Sequence, residues 1–169
     1  GEVRIREIPL SVQCWTYRKF TFYEALEKIK ALGIRYVEAY PGQPLSPENP
    51  GLRFDHHLDD ARLDAVRARL RELGLTLVAY GVVGFDNNEE SIREVFSFAR
   101  KMGIPVIVTE PGYDDYSGIQ KMVEEFDIRV AIHNHPEPSK YARPETVLQH
   151  VRGLDPRIGG CCDTGHWTR

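Results

Sequence analysis

One junction recurs along the chain: an apolar helical stripe ends, a Leu-Gly-Ile type turn follows, and a short β-rich run begins. It stands at Leu32-Gly33-Ile34, Leu73-Gly74-Leu75 and Met102-Gly103-Ile104. It returns with Asp in the middle at Phe126-Asp127-Ile128 and, more loosely, at Leu154-Asp155-Pro156. A glycine just past a helix takes the left-handed conformation that closes the last turn. The apolar residue after it opens the next strand. Repetition of such a unit sets the order of the elements before any single residue is weighed.

The stretches before the junctions have helical spacing, as in Leu63, Val66, Leu70 and Leu73, or Ile92, Val95, Phe96, Ala99 and Met102. Shorter stripes begin at Ala25, Ile119 and Val147, which makes five helices. The β-rich runs are 10–17, 34–40, 75–82, 105–110, 129–135 and 158–163. Several are apolar on both faces, as in a parallel sheet covered on both sides. Six strands alternating with five helices mean an α/β fold with parallel crossovers. The Pro- and Gly-rich segment 41–60 is expected to be a long loop over one end of the sheet.

An open nucleotide-binding sheet and a barrel both fit this alternation. The open sheet carries a Gly-rich phosphate turn after its first strand. Here Cys14-Trp15-Thr16-Tyr17 leads into Arg18-Lys19-Phe20 without glycine. Polar residues gather instead at strand C-terminal ends: Glu38 and Tyr40, Tyr80, Glu110, His133 and His135, Asp163 and His166. Barrel enzymes place their chemistry at that end, with residues from several strands. The expectation is therefore a (β/α)8 TIM barrel over a single domain, 1–169. Such a barrel takes about 250 residues, so the chain is expected to stop after the sixth strand. A second copy or another chain would complete it.

Composition narrows the partners. Lys and Arg number 22 against 25 Asp and Glu, a net charge of −3, which gives no general attraction to nucleic acid or an anionic membrane. No apolar run approaches the ~20 residues of a membrane span. The first ten residues lack the apolar centre of a signal peptide, and the start at Gly1 suits a trimmed N-terminus. The three cysteines, Cys14, Cys161 and Cys162, make no disulfide framework, so a reducing, cytoplasmic location is expected.

Five of the six histidines, at 56, 57, 133, 135 and 166, fall in strand ends or the loops after them. In Asp163-Thr164-Gly165-His166 an Asp and a His three apart leave a strand together. They suit one metal ion or one substrate hydroxyl, and they also suit a helix cap with a surface imidazole. In Ile132-His133-Asn134-His135-Pro136, strand alternation places both imidazoles on one face. Imidazole binds Zn, Mn or Fe, and carboxylate suits Mn or Mg. Glu110 continues the apolar face of Val106 and Val108, and Glu38 ends its strand in the same way. Both fit ligation of metal or substrate, and both fit pairing with an Arg at the rim. Asp55-His56-His57 lie in the long loop, within reach of such a site or simply exposed. Trp15, Tyr80 and Trp167 suit apolar walls of a ligand site.

Cys162-Asp163-Thr164-Gly165-His166, Ile132-His133-Asn134-His135-Pro136 and Tyr36-Val37-Glu38 together resemble the xylose-isomerase-like TIM-barrel superfamily. These are the sugar phosphate isomerases and epimerases, with inosose dehydratases, ketose 3-epimerases and apurinic endonucleases among them. The resemblance implies a metal-ligand Asp at Asp163, a fifth-strand ligand at His133, and His166 against substrate or metal. Epimerase members carry Glu on the fifth strand, so His133 places the chain nearer the dehydratase-like branch. Further ligands of the family come from strands seven and eight, so the resemblance implies that this chain alone would lack a full metal shell and turn over no sugar. The implied cofactor is a divalent ion (Mn, Zn, Co or Fe), and the implied substrate a keto-sugar or polyol reacting through an enediolate. His135 or Glu110 is then the proton carrier. Two alternatives stay open: a metal-dependent endonuclease, which would need a basic groove, and a non-catalytic barrel that binds sugar or a partner.

Overall fold

The computed structural model describes residues 3–86 and 88–168. The chain forms two compact units, Gly1–Gly81 and Val82–Arg169.

In the first unit β1 (Arg4–Ile5) and β2 (Ile8–Pro9) form a small antiparallel hairpin. β3 (Ser11–Gln13) pairs in parallel with β4 (Tyr36–Ala39), and β4 pairs in parallel with β7 (Thr76–Val83). Between β3 and β4 lies α1 (Phe22–Ala31). Thr21 starts it with a reciprocal cap: Glu24 N–H donates to Thr21 Oγ1 (3.3 Å), and Thr21 N–H donates to Glu24 Oε2 (2.8 Å). Its inner face buries Phe22, Ala25, Leu26 and Ile29 completely. α2 (Asp60–Leu73) is capped by Asp59 and closes on Gly74 in the left-handed region, φ 66°, as the repeated junction predicts.

Two expectations are corrected in this unit. The first strand is shorter than 10–17, because Cys14–Tyr17 turn out of the sheet as a 3-10 segment. The expected loop 41–60 contains a hairpin, β5 (Gln43–Ser46) with β6 (Asn49–Phe54). Prolines at 44, 47 and 50 hid it, since proline within a run argues against a strand. Tertiary contacts hold it instead. Phe54 stacks on Phe22 at 4.3 Å between centroids, and the buried Gln43 amide donates to Phe20 O at 3.0 Å.

The second unit continues the alternation with α3 (Glu89–Met102), β8 (Val106–Thr109), α4 (Tyr116–Phe126), β9 (Arg129–His133), α5 (Pro144–Val151), β10 (Ile158–Cys161) and the single turn α6 (Thr164–Trp167). Asn88 caps α3 through Ser91 N–H (2.8 Å), and Gly103 ends it at φ 71°. α4 ends on Asp127 at φ 53°, the Asp variant of the junction. α6 is a sixth helix where the sequence suggested five, because Asp163 caps a turn beyond β10. β8 pairs in parallel with β9, and β9 with β10 up to His133 opposite Cys161.

The six sheet strands run in the order β10-β9-β8-β7-β4-β3. This is an α/β fold with a parallel six-stranded sheet, as expected of part of a TIM barrel. Among the described residues no helix is long and apolar enough to cross a membrane.

Candidate active site

The C-terminal ends of β8, β9 and β10 bring five of the candidate residues together in the second unit. His133 is the last residue of β9, and His135 lies two positions on. Their ring centroids are 4.5 Å apart, so the strand alternation read from the sequence persists past the end of β9. His166 joins them, its ring 4.9 Å from His135 and 5.9 Å from His133.

Asp163 divides its carboxylate between two tasks. Oδ1 accepts His166 N–H (3.1 Å) as the cap of α6. Oδ2 lies 3.4 Å from His166 Nε2 and 3.8 Å from His133 Nε2. The Asp-x-x-His spacing is thus a helix cap that also sets an imidazole over the carboxylate, since a cap and its third residue share one turn.

Asn134 stands inside the motif with no role that the sequence suggests, and its side chain lies completely buried. Its amide donates to Asp163 O (2.9 Å) and accepts from Asp163 N–H (2.7 Å). The side chain therefore prolongs the β9–β10 pairing by one rung and seats Asp163. Alternation sends residue 134 away from the face of its two histidine neighbours, and that is the only hint the sequence held.

Glu110 follows β8. Its Oε1 accepts from His135 Nδ1 (2.7 Å) and from Ser139 Oγ (3.2 Å). One ligand atom each from Glu110, His133 and His135 lie within 4.8 Å of one another. Burial, then the neighbouring His135, push the His133 imidazole below its ordinary range, with Asp163 opposing. His133 is thereby favoured in its neutral form, the form in which an imidazole can ligate a metal. His133 Nδ1, His166 Nδ1 and Trp167 Nε1 are buried with no hydrogen-bond partner among the described residues. Two imidazole nitrogens left so are costly unless something else engages them.

The other candidates belong to the first unit. Glu38 sits just past an irregularity in the β4–β7 register, between Val37 and Glu38, a feature that re-aims side chains. Burial pushes its carboxyl up to about 7 against a hydrogen bond from Gln13. Beside it the Cys14 thiol, fully buried, is pushed up to about 12 by burial and then by Glu38. Trp15 is 57% exposed and meets Tyr40 edge-on at 5.1 Å. Tyr80 is fully buried, edge-on to Phe54, with its hydroxyl 2.9 Å from His56 Nδ1. Asp55 Oδ1 accepts His57 N–H (2.9 Å), which shapes the turn bearing both histidines.

Comparison with known proteins bears on this arrangement. The profile of the xylose isomerase-like TIM barrel family matches residues 26–169. An uncharacterised protein from Parabacteroides distasonis ATCC 8503 is 32% identical with a TM-score of 0.82, covering 94% of this chain and 64% of its own. A D-tagatose 3-epimerase-like protein is 17% identical with a TM-score of 0.68, over 92% of this chain and 65% of its own. Endonuclease IV from Thermus thermophilus is 18% identical with a TM-score of 0.54, over 94% and 62%. At such identities the last two share the fold. No curated protein matches the chain by sequence. The chain spans less than two thirds of the length of these structures.

Proposed function

The chain belongs to the xylose isomerase-like TIM barrel family, and on that footing we propose that it carries the ion-binding part of a sugar isomerase, epimerase or dehydratase. The observation that carries this reading is the convergence of three imidazoles and two carboxylates at consecutive strand ends, with buried imidazole nitrogens left over.

This donor set fits a divalent ion of the Mn, Zn, Co or Fe kind. His133 and Asp163 are its proposed holders. Such an ion, when bound, supplies Lewis acidity to neighbouring oxygens of a keto-sugar or polyol. The protein's part is to orient and to move protons. His166 is placed to hydrogen-bond a substrate oxygen. The Glu110–His135 pair takes the proton from the carbon next to the carbonyl, and the electron pair left behind gives an enediolate. Returning the proton isomerises or epimerises, whereas expelling a neighbouring hydroxyl dehydrates. Trp167 beside His166 is a proposed sugar contact. The net charge of −3 favours a small carbohydrate over a polyanion such as DNA.

Loading the chain with Mn2+, Zn2+ or Co2+ followed by elemental analysis tests this. Wild type is expected to retain metal above the background of a chain without this cluster, with His133→Ala and Asp163→Ala at least about tenfold below it. Equal metal in all three would overturn the reading.

A further inference from the structure

The proposed function leaves the Glu110–His135 pair undivided, and we infer that Glu110 is a positioning residue that holds His135 in its Nδ1–H tautomer, with Ser139 setting Glu110 in turn. This rests on the proposed function only for the use made of the His135 Nε2 lone pair.

Donor and acceptor roles follow from the chemistry of the groups. An ionised carboxylate can only accept, so His135 Nδ1 is the donor in the 2.7 Å contact with Glu110 Oε1. A neutral imidazole carries one N–H, so Nε2, on the opposite edge of the ring, is left with its lone pair. Ser139 is equally constrained. Its oxygen accepts Tyr141 N–H (3.1 Å), and its single proton goes to Glu110 Oε1 (3.2 Å).

Tyr141 closes the circuit. Its side chain is fully buried, and its hydroxyl donates to Pro111 O at 2.9 Å. Pro111 is the residue after Glu110, so Tyr141 grips both the backbone beside Glu110 and the hydroxyl on its carboxylate. Tyr116 OH, 3.0 Å away, supplies the remaining donor to the Tyr141 oxygen. The Glu110 side chain is 22% exposed against 43% for His135, so the carboxylate is the more fixed partner and the ring the more accessible one. This is the division between an orienting acid and a working base.

A purely structural Ser139 is the competing account. The turn around it already rests on backbone bonds, Ser139 N–H to Pro136 O (3.0 Å) and Ala142 N–H to Ser139 O (3.2 Å). Those bonds outlast removal of the hydroxyl, which costs the turn the Tyr141 N–H bond and costs the carboxylate its second donor.

The test reads the tautomer by 15N-resolved NMR on metal-free chain at about pH 8.5, above the ordinary imidazole range. The His135 signals are identified by their loss in His135→Gln. Wild type is expected to show a protonated Nδ1 and a bare Nε2 at His135. Glu110→Ala should shift the tautomer ratio towards Nε2–H by about threefold or more. Ser139→Ala should shift it part of the way, and Ser139→Thr should restore it. A wild-type ring that is mainly Nε2–H, or a ratio unchanged in Glu110→Ala, overturns the inference. An unchanged ratio in Ser139→Ala removes Ser139 from it. A urea midpoint for each variant shows that the change is not unfolding. No metal or sugar enters these spectra, so their failure leaves metal retention by His133 and Asp163 standing. Failure of metal retention, conversely, leaves the pair standing.

Discussion

At the scale of single residues, Asp163 and Glu38 show how differently two carboxylates can be treated. Asp163 keeps one oxygen on a helix cap and offers the other to two imidazoles. Its spacing to His166 was legible because a cap and its third residue are neighbours on any helix. Its seat on Asn134 was not, since that bond joins residues 29 positions apart. Glu38 is instead buried until its carboxyl sits at about 7. A carboxyl raised in the folded state favours folding while protonated and opposes it once charged. The Glu38 contribution to stability should therefore fall as pH rises from about 4.5, the unfolded value, through about 7. The loss is expected to be about 2 kcal/mol, after discounting for the solvent that still reaches the group. Glu38→Gln should flatten that slope. Urea midpoints at about pH 5 and about pH 8, on both proteins, measure it. A slope unchanged between wild type and Glu38→Gln would contradict the buried, neutral carboxyl, since the lowered His133 acts in the opposite direction in both proteins.

At the scale of elements, the repeated junction was readable because it is local: the left-handed residues at Gly74, Gly103 and Asp127 each end a helix within one turn. Asp127 is the position where a side chain bears the strain glycine avoids. In compensation it accepts from Arg157 Nη1 (2.7 Å), but it is 84% exposed. An exposed pair contributes about 0–1 kcal/mol, and Arg157 keeps its bonds to Asp155. Relief of the left-handed side chain should win narrowly, so Asp127→Gly is expected to gain about 0.5 kcal/mol, or roughly 1–2 °C in melting temperature. A melting temperature lowered by several degrees would mean the Arg157 bridge dominates. The β5–β6 hairpin stayed hidden for the opposite reason. Its prolines carry no strand signal, and what holds it is distant in sequence, Phe22 against Phe54 and Gln43 against Phe20.

At the scale of the whole molecule, charge and topology set what the chain can meet. A net charge of −3 predicts that duplex DNA with an abasic site binds no tighter than the non-specific range, about 10⁻⁴–10⁻⁶ M at physiological salt. Sub-micromolar binding with a steep salt slope in a fluorescence titration would favour the endonuclease alternative instead. The alternation of six strands with helices and the strand-end placement of Glu110, His133, His135, Asp163 and His166 were determined by the sequence alone. Junctions and alternation are short-range properties that survive in any parallel α/β context. Tertiary structure alone decided that Glu110 meets both His135 and Ser139, that Asn134 seats Asp163, and which imidazole nitrogens are left without partners among the described residues. Those facts depend on hydrogen bonds across 25 to 29 residues. A one-dimensional pattern carries no information about which atoms such a register brings within hydrogen-bond reach.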